Sequence, residues 1–296
     1  MYSFFVSGDL RGGVAICDRA IELADGDPAV AAGTTLVCPY AYCHVIKGLF
    51  VLYLGELEEA RRLIEQGRKL AREHGDIETV GWSHMFSTSV AFVAGEPDAA
   101  LGPAQHALEI AERHGSSFSR AWAWASLGQA EHMRGEWQRA IEALERSAEI
   151  SRQRRAAAEA EAFRLPQLAE AYLGLGDVGR ARALVDEGLE FTRACGHVSG
   201  ESYANYVLGR VLLASAGSSG RDQIEAAFAR ARELNREMEL RALEPLVRVE
   251  IAELARQCGD EQWRERELRE AHRLFAELGA AGHAERLAAE LATAAG

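Results

Sequence analysis

Apolar and polar positions alternate at helical spacing throughout the chain, and one phrase returns about every 40 residues. An apolar stretch rich in small residues ends at a glycine. An acidic or polar residue follows, and a strongly amphipathic stretch begins. The glycines are Gly8, Gly55, Gly95, Gly135, Gly176 and Gly259, with spacings of 47, 40, 40 and 41 before a last interval of 83 that holds two periods. The segment around Gly217 to Gly220 supplies the remaining member, loosened by about three inserted residues.

Each glycine stops the first helix, because a left-handed C-terminal residue is strained with a Cβ and not without one. The acidic residue that follows suits the N-terminus of the second helix. Ala60, Ala100, Ala140 and Ala181 fall five residues after their glycines, where a small side chain lets the two helices approach closely. Apolar residues then return at helical spacing: Ala140, Leu144, Ser147 and Ile150 in one unit, and Ala181, Val185, Gly188 and Phe191 in the next.

The pattern predicts an all-α fold, a right-handed superhelical solenoid of about seven helix hairpins plus a C-terminal capping helix. The expected units are a truncated first repeat at 1–24, then 36–74, 77–114, 117–153, 156–195, 198–237 and 240–276, with a cap at 282–294 carrying the polar face of Glu285, Arg286 and Glu290. Together they make one repeat domain over 1–296, with a longer linker at Asp25 to Thr35.

The phrase resembles the tetratricopeptide repeat. The fourth unit carries Trp124, Leu127 and Gly128, then Gly135, Ala140 and Leu144; the second keeps Gly48, Gly55 and Ala60, and the fifth Tyr172, Gly176 and Ala181. The period exceeds the usual one of about 34 by about six residues. In this the chain is similar to the longer repeats in the C-terminal region of bacterial class III adenylate/guanylate cyclases with an ATPase module. Segments such as CPYAYCHVIKGLF, HGSSFSRAWAWASLGQA and ELREAHRLFAELGAAGHAERLAAEL have that look. Arrays in maltose-type transcription activators are also similar. The resemblance implies a regulatory repeat module; cyclase and ATPase domains are not part of this sequence.

Composition narrows the function classes. Hydrophobic residues make up 48% and prolines number 6, which suits packed helices. The formal net charge of −12 gives no electrostatic footprint for nucleic acid or an anionic membrane. The short run Arg152, Arg154, Arg155 reads as the solvated end of a helix. Five cysteines, odd in number and without a CxxC, read as reduced thiols. No basic segment followed by a long apolar run opens the chain, and no stretch approaches the roughly 18 apolar residues of a membrane span. The expectation is a cytoplasmic protein.

Catalytic and metal motifs are weighed and set aside. Gly174, Gly176 and Gly179 spell GxGxxG, but a dinucleotide site needs that motif after a strand, and here it coincides with a repeat turn. His44 and His84 share a register in neighbouring units without a third ligand at good spacing, which favours packing over zinc. His74 and His114 recur at helix C-termini, where they suit the dipole. Neither catalytic residues, nor a metal, nor a cofactor are expected, and the chain is read as no enzyme.

An aromatic ladder is the strongest candidate for function: Tyr42, Trp82, Trp122, Phe163 and Tyr203, at steps of 40, 40, 41 and 40 on the first helix of each unit. In tetratricopeptide arrays that helix lines the concave face, and Tyr and Trp are frequent anchors of binding surfaces. The alternative is a packing ladder between adjacent first helices. The same register adds Gln129, His132, Glu170, Tyr206 and Arg210 as polar groove-facing neighbours. The expected function is non-catalytic: a regulatory or scaffolding module in a bacterial signalling system, holding a protein or peptide in the groove. The alternative is a small-ligand or peptide sensor controlling an associated cyclase, ATPase or transcription regulator. The short first helix, with Tyr2, Phe4, Phe5 and Val6 before Gly8, is too apolar to face water and is expected to support docking or self-association.

Overall fold

The computed structural model describes residues 2–27, 29–30 and 37–294. Of the linker expected over 25–35, residues 28 and 31–35 lie outside the described residues, as does residue 36, where the second unit is expected to begin. The described residues are helical, with short 3₁₀ turns and no strand. Helices α1 (Tyr2–Ser7) and α2 (Leu10–Ala24) open the array. Six full hairpins follow: α3 (Pro39–Tyr53) with α4 (Leu57–Glu73), α5 (Ile77–Ala94) with α6 (Pro97–His114), and α7 (Ser117–Met133) with α8 (Trp137–Arg154), then α9 (Glu161–Gly174) with α10 (Val178–Cys195), α11 (Val198–Ala216) with α12 (Arg221–Glu237), and α13 (Glu244–Gln257) with α14 (Glu261–Leu278). Helix α15 (Ala281–Ala294) ends it.

The turns form for the reason the sequence suggests. At Gly95, φ is +75°; Glu96 N–H donates back to the Ala91 carbonyl (2.9 Å) and Gly95 N–H to Phe92 (3.1 Å), so the last carbonyls of α5 are satisfied before α6 begins. Asp76, Asp177 and Asp260 cap α5, α10 and α14 by accepting from the backbone N–H three residues on, each at 2.9 Å. The insertion at Gly217–Gly220 is one 3₁₀ turn between α11 and α12. Gly174-x-Gly176 spans the α9–α10 turn, with Gly176 at φ +83°, so this motif follows a helix and not a strand.

Hairpins close on small residues. Ala60, Ala100, Ala140 and Ala181 are fully buried. A Cβ on Gly48 would stand 2.6 Å from Ile64, and one on Gly128 would stand 2.6 Å from Leu144. The backbones therefore approach more closely than a larger residue permits, and Leu, Ile and Val side chains interdigitate around the contact.

The array curls until each end meets a helix hairpin well inside it. Arg11 of α2 grips Glu239 beyond α12 through two 2.5 Å hydrogen bonds, and Ala242 N–H donates to the Tyr53 carbonyl (3.3 Å). On the other side α15 returns to α5. Arg286 donates to the Gly95 carbonyl (2.9 Å), His283 Nε2 donates to the Phe92 carbonyl (3.1 Å), and Arg286 also donates to His283 Nδ1 (2.7 Å). A Cβ on Gly282 would lie 2.3 Å from the Gly95 carbonyl oxygen. The C-terminal helix expected as a polar cap thus also fastens the ring.

That ring is sensitive to acid. Burial pushes the His197 imidazole, 1% exposed, down from 6.5 to about 4, and does the same to His283, where Arg286 adds to the effect. The folded protein keeps these rings neutral while the unfolded chain protonates them near 6.5. Stability is therefore lost as pH falls from about 6.5 to about 4, by roughly 3 kcal/mol for His197 alone. The urea midpoint is expected to fall across that window, and the slope to flatten in His197→Asn. An equal slope in the variant would remove His197 as its source.

Candidate functional site

The first helices of the hairpins, α3, α5, α7, α9, α11 and α13, form the inner wall of the ring, and they enclose a cavity of about 190 Å³. All five ladder residues, Tyr42, Trp82, Trp122, Phe163 and Tyr203, line it, and Leu243 continues the register one period further. The rings pack partly against the core, and they also form the cavity wall. Trp82 lies 5.5 Å from the Phe118 ring, and Phe163 lies 6.4 Å from Tyr203, in tilted contacts suited to aromatic quadrupoles.

Four residues beyond the ladder, on the same helical face, Ile46, Phe86, Ser126, Gln167 and Val247 also reach the cavity. The i, i+4 rule applied to the ladder would have found them. Phe5, Tyr53 and Asn235 line the cavity as well, with no periodic signal to announce them.

Polar groups are sparse and mostly neutral. The Ser126 hydroxyl is buried with no partner among the described residues. Gln129 and Gln167 present amides that make no side-chain hydrogen bond among those residues. Ser202 donates to Asn235 Oδ1 (2.6 Å). Burial raises the Tyr42 and Tyr53 hydroxyls to about 12, so both stay un-ionised. Among the described residues Arg164 is the one charged group of the lining; it pairs with Glu161 (2.8 Å) and donates to Ser147 (3.1 Å) and Ser151 (3.2 Å), while its buried Nη2 makes no hydrogen bond.

The polar residues expected beside the ladder divide. Gln129 and Tyr206 line the cavity; His132, Glu170 and Arg210 do not. Glu170 accepts from Tyr203 and from Arg210, and Arg210 reaches Glu250 (3.0 Å) with its guanidinium 5.8 Å from the Tyr206 ring centre. Outside the lining, Glu170 and Arg210 neutralise one another, with Glu250 as the third partner. Buried charges must be paired, and one arginine between two glutamates does so. Burial alone would raise Glu170, but Arg210, His132 and the Tyr203 hydroxyl hold its carboxyl below the usual range. Burial raises Glu250 in spite of Arg210. Burial also keeps His132 below its ordinary value, with Glu170 opposing and Arg210 assisting. Glu170, Arg210 and Glu250 stand 40 residues apart, so one more period from Arg210 leads to the third member.

His44 meets the ring edge of Tyr40 at 5.0 Å, and His84 stacks on His106 at 5.4 Å. No group of three His, Cys, Asp or Glu suited to a metal occurs among the described residues. Among the same residues, no helix is long and apolar enough to cross a membrane.

Fold and site together define a tetratricopeptide-like helical-repeat superhelix with an aromatic-walled concave cavity. Known structures share the architecture. The chain is similar to aspartyl phosphate phosphatase F from Bacillus subtilis at TM-score 0.61 and 14% identity, over 79% of this chain and 59% of that one. It is similar to the apo form of RapI at TM-score 0.66 and 15% identity, over 93% and 98% respectively. Against the Rap conjugation gene regulator of the plasmid pLS20, solved in complex with the Phr* peptide, the TM-score is 0.70 at 14% identity, over 92% and 72%. At such identities the likeness is one of fold. No protein-family model matches the chain, and no curated protein matches it in sequence.

Proposed function

We propose that this chain is a non-catalytic regulatory module of a bacterial signalling system, cytoplasmic in location, which binds a short peptide or a peptide segment of a partner protein in its concave cavity. The observation that carries the reading is the wall itself: five aromatic rings in one register facing one concave space, with the Gln129 and Gln167 amides among them. Rings supply contact area at little entropic cost, and an amide matches the donor and acceptor of a peptide group. The pLS20 regulator, similar in fold over most of this chain, is solved with a peptide. The resemblance to arrays attached to cyclases and transcription activators supports a regulatory role. The ligand contacts proposed are Tyr42, Trp82, Trp122, Phe163, Tyr203, Gln129 and Tyr206.

The test is selection of random hexapeptides displayed on phage against the immobilised protein, followed by calorimetry on synthetic copies. Selected peptides are expected to lose binding to a folded Trp82→Ala/Trp122→Ala double variant. Recovery of no peptide that depends on those two residues would overturn the reading.

A further inference from the structure

Helix α1 lies inside the ring that the other helices build. Its Phe5 is 8% exposed, with ring centres 5.4 Å from Tyr53 and 5.7 Å from Phe163. Its carbonyl accepts a hydrogen bond from Ser199 Oγ (2.9 Å), and Phe5 itself is part of the cavity lining. His197, edge-on to Phe163 at 5.1 Å, completes the surroundings. An aromatic side chain is thus clamped between two rings while its main-chain carbonyl meets a fixed hydroxyl. That is the way a groove holds one residue of a peptide, and here the residue belongs to the chain itself.

The remaining space is small. A cavity of about 150 Å³ admits a single benzene-sized group. With α1 in place this cavity measures about 190 Å³, and Phe5 forms part of its wall. Helix α1 is held by Phe5 and, against the same core, by Phe4. It has six residues, its Ser3 and Ser7 are exposed, and Gly8 at φ +81° separates it from α2, which Arg11 holds independently through Glu239. The lining also selects against charge. Arg164 is paired with Glu161, the neighbouring charges satisfy one another, and the Phe5 surroundings of Tyr53, Phe163 and Ser199 hold no charge, so a charged ligand side chain there would be buried without a counter-ion.

We propose that α1 is an intramolecular occupant of the peptide groove. Phe5 fills an aromatic subsite formed by Tyr53, Phe163 and Ser199, and an uncharged peptide bearing an aromatic residue binds by displacing it. This rests on the peptide-binding reading and adds to it a subsite, a ligand class and a built-in competitor. The displaced segment lowers apparent affinity in proportion to the time it spends in the groove.

The experiment uses the full chain and, as probe, the acetylated and amidated hexapeptide YSFFVS, the sequence of α1. Calorimetry with the folded Phe5→Ala variant is expected to give at least tenfold tighter binding than with the wild type. The same peptide with aspartate in place of its second phenylalanine is expected to bind the variant at least tenfold more weakly. In the wild type, saturating peptide is expected to expose the α1 amides to hydrogen exchange while α9 and α11 gain protection; this arm stands even where Phe5→Ala does not fold. Equal affinities for the two proteins, equal binding of the aspartate peptide, unchanged α1 protection with peptide bound, or no binding at all would each overturn the proposal. The peptide reading would then still be decided by the phage selection, which depends on Trp82 and Trp122 rather than on Phe5.

Discussion

Replacing Trp122 by alanine is expected to weaken binding of a phage-selected peptide about thirtyfold or more, the loss of roughly 2 kcal/mol or more that marks an anchor residue. Trp122 stands midway along the ladder, on the cavity wall. The indole also touches the cluster around Ala121, Ile150 and Ala160, so some stability goes with it. The far-UV circular dichroism spectrum of the variant should nonetheless stay that of the wild type at 25 °C, since each hairpin is held chiefly by its own buried alanines and leucines. Gln129→Ala, two turns along the same helical face, is a milder companion, expected to lower affinity with little change in melting temperature. A Trp122→Ala protein that is unfolded at 25 °C would mean that the ladder is only core. One that is folded and binds with wild-type affinity would remove the ladder from the site.

The largest effect on stability is expected at Arg210. Removing it in Arg210→Ala leaves Glu170, 6% exposed, and Glu250 facing each other behind the wall without a cation. Breaking a buried ion pair from one side costs about 3–5 kcal/mol. In a chain of this length that corresponds to a melting temperature lower by roughly 10 °C. The triple change Arg210→Met/Glu170→Gln/Glu250→Gln should recover much of it, because no unpaired charge remains. Peptide affinity, measured at a temperature where the single variant is folded, should change by less than threefold, since Arg210 does not line the cavity. A stable Arg210→Ala protein with a large loss of affinity would reverse the assignment and return the arginine to the ligand.

The hairpins and the ladder are legible in the sequence because they depend on neighbours. A glycine at +75° with its acidic successor ends one helix and starts the next within a few residues, and Gly48 against Ile64 or Gly128 against Leu144 closes a hairpin within about one repeat. Stacking similar hairpins then brings residues one period apart onto one face, so the step of 40 alone places Tyr42, Trp82 and Trp122 together. The orientation of the polar neighbours is less legible. Glu170 and Arg210 share the ladder's helices, but they turn to each other because an unpaired buried charge costs more than a pair.

What only the tertiary structure decides is the closure of the ring. Phe5 meets Ser199 across 194 positions, Arg286 meets Gly95 across 191, and Arg11 meets Glu239 across 228. Each repeat adds a small rotation to the last, and whether the first helix arrives beside the eleventh or in open solvent depends on the sum of all of them. No local pattern records that sum. The apolar residues of α1 therefore read in the sequence as an uncovered end, whereas in the folded chain Phe5 is turned inward and Phe4 packs against the same core. Local propensity and period determine the repeat and its aromatic face; accumulated curvature determines that this face encloses a cavity and that the chain's own first helix lies in it.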